Sequence, residues 1–444
     1  PGKQKLPISH PTGELHMNSR PRLLSLTIRA VFALLLFSSV NAHAATFYVA
    51  PTGKDTNLGS VAAPWLTIQR AANTVNPGDT VVVQPGTYKG AKFSRSGLAT
   101  AYIRFLGQPG VIVNSPGALN SNGDNLWIRN AHYLILEGFT VTNAPRSGIA
   151  IQGEPTAPAI GNFVRRNYCH HNGRWGIFTG YALNVRIDNN ETSYSATEHG
   201  IYVSNSSDNP YIRWNRAHHN RASGIQINAD PVLAGDGIIS GAVVSRNIAY
   251  ENGVGGGAAI NLASVRSSLI SNNLLYNNHA SGIAGWDDGA GNTFGTQGNR
   301  FFNNTIVMAS DGRFALVLNN GSINNQVKNN ILIHTGTRGS IEIDPSSRAG
   351  FVSDYNVVNN RFSLNETFIT LAQWRAYGYD LHSIVNPGLT TLFVNPTATN
   401  YHLRTGSPAI NTGVTVTGVV DDIDGNSRPQ GLRYDIGADE VLVP

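Results

Sequence analysis

The amino-acid sequence predicts an all-β fold, a right-handed parallel β-helix (solenoid) with an N-terminal helix cap and an irregular C-terminal closure. Three observations carry that prediction. Glycine is abundant (47 residues) while charged residues make up only 13% of the chain, a composition suited to short strands joined by tight turns. A short motif recurs at roughly the length of one solenoid coil: SGIAI (147–151), WGIFT (175–179), HGIYV (199–203), SGIQI (223–227) and SGIAG (281–285). An asparagine pattern recurs with it, since Asn167, Asn215 and Asn273 each stand nine residues before the glycine of their coil and Asn172, Asn220 and Asn278 each stand four before it. Repetition at such a period is the signature of stacked units that bury a continuous core.

The N-terminal residues read as a targeting segment. Arg20, Arg22 and Arg29 precede an apolar run, AVFALLLFSSV (30–40), and an A-x-A site at Ala42–Ala44. That is the pattern of a signal peptide over 17–44, with 1–16 as an upstream segment. The protein is therefore expected to be exported, to the periplasm, the cell surface or the medium. Five of the 32 basic residues and one of the 27 acidic ones lie in this leader, so 27 basic and 26 acidic residues remain. The basic pI of 9.3 thus gives no reason to expect a nucleic-acid partner. No later apolar run reaches the length of a membrane span. Cys169 is the single cysteine, so no intrachain disulfide staples the fold. A monomer is expected.

After the leader, residues 45–110 are expected to form the N-terminal cap and first coils. Ile68, Ala71, Ala72 and Val75 recur at helical spacing there, ahead of an N-P-G-D turn and a strand. The parallel coils follow over 111–349. Period-2 alternation in HGIYV and SGIQI turns Ile201, Val203, Ile225 and Ile227 inward and Tyr202, Ser204, Gln226 and Asn228 outward. Asparagine tolerates the left-handed backbone of a sharp corner, and stacked asparagine side chains can bond along the axis. Residues 350–444 hold the last coils and the closure, with a short helix expected within TLAQWRAYGYDLHSI (370–384).

In its opening, FYVAPTGKD…PWLTIQRAA…GDTVVVQPGTY, and its close, SPAI…DIDGNSRP…YDIGADE, the chain resembles the bacterial right-handed parallel β-helix repeat proteins of the pectate-lyase-like superfamily. The resemblance covers the sequence beyond the leader. It implies a secreted carbohydrate-active protein, with a polysaccharide lyase or epimerase acting on an extended acidic polysaccharide as the first reading. A non-catalytic carbohydrate-binding or adhesin-like β-helix and a glycoside hydrolase using paired aspartates are the alternatives.

Elimination or epimerisation needs a base for the proton α to a carboxylate and a cation for the resulting enolate. His199 is the base candidate, with Glu198 beside it, Arg213 as the cation and Asp230 as a further catalytic candidate. Tyr202, Gln226, Asn228, Trp286 and His219 are the expected substrate contacts. The segment EHGIYVS is similar to the HGI-type coil of alginate epimerases, although their D-P-H motif is absent. Calcium-dependent lyases of this fold suggest Ca²⁺ as a cofactor, for which Asp208, Asp287 and Asp288 are the candidate ligands. The Asp287–Asp288 pair in WDDG also fits hydrolysis by paired carboxylates, though the H-G pair precedes it, the reverse of the polygalacturonase order. The two His-His pairs, His170–His171 and His218–His219, lie two coils apart, too far to share one zinc ion, and read as stacked corner residues. The DDIDGNSRP segment (421–429) reads as a turn.

Overall fold

The computed structural model describes residues 44–442, so the expected signal peptide lies outside the described residues apart from Ala44. These residues wind into a right-handed parallel β-helix of three sheets, each of twelve strands. The first sheet runs from Thr46–Val49 to Val352–Asp354, the second from Gly86–Lys89 to Ile384–Val385, and the third from Ala91–Phe93 to Thr367–Ile369. Coil neighbours pair in parallel register, as where Ile177, Ile201, Ile225, Ile260 and Ile283 follow one another in the third sheet.

The predicted inward residues form the core: Ile201, Val203, Ile225 and Ile227 are completely buried. Between the first and second sheets the asparagines make an unbroken ladder, Asn167, Asn190, Asn215, Asn247, Asn273, Asn304, Asn330 and Asn356, each backbone N–H donating to the next side-chain oxygen at 2.8–3.1 Å. A second ladder between the second and third sheets includes Asn220, Asn252 and Asn278. The left-handed backbone falls on the residue just before each ladder asparagine (Arg166, Asn189, Trp214 and Arg246 in the first ladder), not on the asparagine itself. That division lets the corner residue take the positive φ while the asparagine turns its amide into the coil. Gly200 serves close approach at the other ladder, where a Cβ would come within 2.7 Å of the Asn220 amide and the Gly224 carbonyl.

The expected N-terminal helix is Ile68–Thr74, capped by the Thr67 side chain and burying Ile68, Ala71 and Ala72 against the first coils. The far end is closed by an antiparallel hairpin, Phe362–Leu364 with Thr367–Ile369, and by the helix Leu371–Arg375, whose Trp374 is buried on Phe362. Pairing and covering the last strands removes a template for aggregation. The remaining C-terminal chain does more than close the end. It runs back along the outside of the first and second sheets, burying Phe393, Tyr401, Leu403 and Ile436 with Val307, Ile331 and Val357. The close of the sequence is anchored there: Arg428 and Glu440 form a fully buried ion pair at 2.6 Å, and Asn303 and Asn272 donate to the carbonyls of Asp435 and Asp421.

Candidate functional site

The outer face of the third sheet carries the first set of candidates. Register places Phe178, Tyr202, Gln226, Asn261, Ala284, Val317, Glu342 and Ser363 in one outward row. At its N-terminal end the row is covered by its own neighbours. Phe178 stacks with Trp175 (4.5 Å), Tyr202 packs on both, and Arg146 lies over the pair. Tyr202 is consequently only 9% exposed. Its hydroxyl donates to the Asp230 carboxylate (3.2 Å), which also accepts from Ser204 (2.9 Å). Asn228 accepts from the Asp230 backbone N–H and donates to Asp288 at 2.8 Å. Gln226 accepts from Ser223 and Asn261. Tyr202, Asp230, Asn228 and Asp288 are thus brought together in one hydrogen-bonded network, with Gln226 bonded separately in the same outward row.

The other candidates are placed elsewhere or otherwise engaged. The Nδ1 atom of His199 accepts the Ser223 backbone N–H at 3.1 Å, so the neutral ring carries its proton on Nε2, which faces Glu198 at 3.8 Å. Burial lowers the His199 pKa to about 4, against the opposing charge of Glu198. A ring whose one lone pair is already bonded is poorly arranged to act as a base. Glu198 pairs with Arg174 and accepts from Trp175 Nε1 (2.7 Å). Arg213 belongs to the first sheet, beside Asp188 and over Trp214, and faces away from this row. His219 is a corner residue after a second-sheet strand, stacked on Tyr194. Asp208 accepts the Ser240 N–H at 2.7 Å. Repeats in sequence give the coil but not, for a polar residue, which of three faces it lies on.

The aspartates fit calcium poorly. Both oxygens of Asp287 are occupied by the N–H groups of Gly289 and Gly291 and the Asn320 amide, which hold its pKa down against the effect of burial. Asp230 and Asp288 are linked through the Asn228 amide, and the oxygens left free fall well short of the six to eight that Ca²⁺ takes. Asp288 is pushed up by burial and by the neighbouring Asp230 and Asp287 charges, against the Asn228 hydrogen bond.

Further along the same row the surface opens into a groove of about 740 Å³. Small side chains make the floor, Ala284, Val317 and Ser363 with Asn261 and Glu342 among them. Arg313 and Arg338 come from the turns entering the strands, with Phe314 buried beneath, Trp286 ends its strand, and Asn319 and Asn320 come from the turn leaving the next one. Arg313 and Arg338 come from successive coils, each three residues before the paired Leu316 and Ile341. Burial raises the Glu342 pKa, and the Glu366 charge adds to it; the Asn319 hydrogen bond and the Arg338 and Arg313 charges work against the rise. A half-buried carboxyl with a raised pKa in a cleft that two arginines also line makes this groove a candidate functional site. Trp286 is the one sequence-predicted candidate that lines the groove. Arg313, Arg338, Glu342 and Glu366 were legible only by carrying the repeat past Gly285, where GRFALVL and GSIEI keep its alternation but lose its small-Gly-Ile marker.

This architecture defines the fold class, a right-handed parallel β-helix. Residues 47–196 match a family described as the Pel9A-like right-handed β-helix region. The groove lies beyond that match. Among solved structures the chain is similar to pectate lyase Pel9A (18% identity, TM-score 0.66, covering 89% of this chain and 96% of that one). It is also similar to XylC in complex with xylose (13%, 0.57, 89% and 98%) and to the A-module of the mannuronan C-5 epimerase AlgE6 from Azotobacter vinelandii (14%, 0.50, 72% and 93%). No curated protein sequence matches. At these identities the similarities establish the fold.

Proposed function

We propose that the protein is an exported, carbohydrate-active β-helix that binds and cleaves an extended acidic polysaccharide in the groove of the third sheet. The observation that carries this reading is the placement of Arg313 and Arg338, one coil apart, beside the half-buried Glu342. Repeating cations along an axial groove suit a polymer with repeating carboxylates, and Trp286 offers a ring face for a sugar. Pectate and mannuronan, named for two proteins of the same fold, are polymers of this chemical kind.

Elimination is the favoured reaction. The Glu342 carboxylate takes the proton α to a uronate carboxyl group, Arg313 and Arg338 neutralise the charge that develops on that group, and the bond from the β carbon to the glycosidic oxygen breaks as a carbon–carbon double bond forms, the leaving oxygen taking a proton back from Glu342 or from water. A raised pKa makes Glu342 a stronger base than an ordinary carboxylate. Hydrolysis is the second reading, because Glu366 lines the same groove and pushes the Glu342 pKa upward, separating an acid from a base. Incubation of the purified chain with pectate, alginate and glycosaminoglycans distinguishes the two. Elimination yields ultraviolet-absorbing unsaturated uronate, and hydrolysis yields new reducing ends without it. Neither product on any of these polymers would overturn the proposal.

A further inference from the structure

The C-terminal chain that runs back along the second sheet assembles a polar cluster remote from the groove of the third sheet. Among the described residues, His402, Asp424 and Asp439 form a set of three whose ligand atoms all lie within 4.8 Å of one another. They come from three separate segments: the strand Asn400–Leu403, the turn within 421–427, and the final stretch beside the buried Glu440. Nε2 of His402 is 2.9 Å from an Asp424 oxygen. On the opposite side of the ring Nδ1 faces the Asn400 side-chain oxygen at 2.9 Å, an acceptor that keeps one proton on Nδ1, so the Nε2 contact with Asp424 is a hydrogen bond donated by a protonated Nε2, and a metal ion would take that proton's place. Metal-bound histidines are oriented by such a partner.

The electrostatics favour a cation. Asp439 is buried, and burial together with the Asp422 and Asp424 charges raises its pKa, with the Leu403 N–H and His402 opposing. Asp422 itself is not available as a ligand: its oxygens accept from Asp424, Asn426 and Glu440 N–H groups. The cluster opens onto a groove of about 540 Å³ lined by Tyr276, Tyr401, Trp214 and Arg216, which gives water access to any remaining coordination positions. One imidazole nitrogen and two carboxylate oxygens make a mixed donor set suited to a borderline transition-metal ion better than to calcium, which takes oxygen ligands alone. Tetrahedral bonds of about 2.0–2.1 Å separate ligand atoms by about 3.3 Å, a small opening of the present His402–Asp424 contact.

We infer that His402, Asp424 and Asp439 bind one divalent transition-metal ion, with Zn²⁺ the best fit, and that this ion ties three segments of the C-terminal chain to one another. The inference is independent of the chemistry in the third-sheet groove. The full chain, stripped with a chelator and exchanged into metal-free buffer, is titrated with Zn²⁺ by calorimetry, with metal content measured by mass spectrometry. The expected result is one Zn²⁺ per chain and a melting temperature that climbs with Zn²⁺ concentration. H402Q and D424N alter half-exposed side chains and should keep the fold while weakening binding at least tenfold. H218Q, in the histidine pair on the second sheet, should bind as the unmodified chain does. Absence of Zn²⁺ binding overturns the inference, as does undiminished binding in H402Q and D424N. Displacement of Zn²⁺ by an equal concentration of Ca²⁺ overturns the assignment of the donor set.

Discussion

Replacing Asn247 with alanine tests whether the asparagine ladder holds the coils together. Asn247 is fully buried. Its side-chain oxygen accepts from the backbone N–H and amide of Asn215, both at 3.0 Å, and its amide donates to the Ile212 carbonyl (2.8 Å) and to Asn273 (3.0 Å). N247A removes all four bonds. The Asn215 amide keeps the Ile187 carbonyl, whereas the Asn215 N–H is left buried without an acceptor. At about 1 kcal/mol per bond the loss is about 4 kcal/mol, more if no water reaches the orphaned donor. With an unfolding entropy of about 2.1 cal/mol/K per residue, this amounts to a fall of about 5 °C in the thermal midpoint if the coils melt together. N189A supplies the comparison. Asn189 is an exposed corner residue with positive φ, so its replacement costs only the left-handed backbone, about 1 kcal/mol. Thermal melts by circular dichroism, with hydrogen exchange to localise the opening, measure both. A midpoint for N247A no lower than that for N189A would refute the ladder as a source of stability.

Glu342→Gln should lower the rate of polysaccharide cleavage by about 10²–10³-fold with the thermal midpoint unchanged; if Glu342 is the base, activity in the unmodified protein rises with pH through its elevated pKa, and if it is the acid, activity falls there. Polysaccharide cleavage should be unaffected by a calcium-selective chelator, since the aspartates beside the groove supply too few free oxygens; loss of activity restored by added Ca²⁺ would contradict that. The buried His199, with a folded pKa of about 4 against about 6.5 when unfolded, lets the unfolded chain bind a proton first. Stability should therefore fall by about 3 kcal/mol as pH drops from about 6.5 to about 4, and His199→Gln should flatten that part of the profile in urea melts. His279 should behave in the opposite sense: burial lowers its pKa, but the hydrogen bonds and charges of Asp311 and Glu251 prevail and raise it. Its contribution is full below about pH 6.5 and is lost as pH rises through the folded pKa, and with Asp311 largely exposed it should stay below about 1 kcal/mol; His279→Ala should remove it.

The fold was legible because its determinants are local and repeated. The inward isoleucines, the buried ladder asparagines and the cap at Ile68, Ala71 and Ala72 each answer a requirement that every coil or end must meet. The site was harder to read, since its residues share no repeat marker and owe their proximity to lateral stacking. His199 and Arg213 are close in sequence yet lie on different sheets. Arg313 and Glu342 are far apart in sequence yet share one groove. Burial misled in a different way: Tyr202 and Gln226 do point outward, but neighbouring side chains and turns cover them.

The ladder steps between Asn167 and Asn356 span 23, 25, 32, 26, 31, 26 and 26 residues, although every step climbs one coil. The two longest steps take up their extra residues after the third sheet, in 229–242 and 287–299, the stretches that begin at Ala229, next to Asp230, and at Asp287. The largest length variation thereby falls on one flank of the molecule, beside the outward row that leads into the groove, with a smaller insertion at 253–257 on another. Those two excursions are natural cassettes for grafting: they could be shortened to the compact connection of the Tyr181–Val185 coil, or exchanged for longer ones, and the hydrogen-bonded scaffold would keep its pitch while the entrance for a polymer was recut.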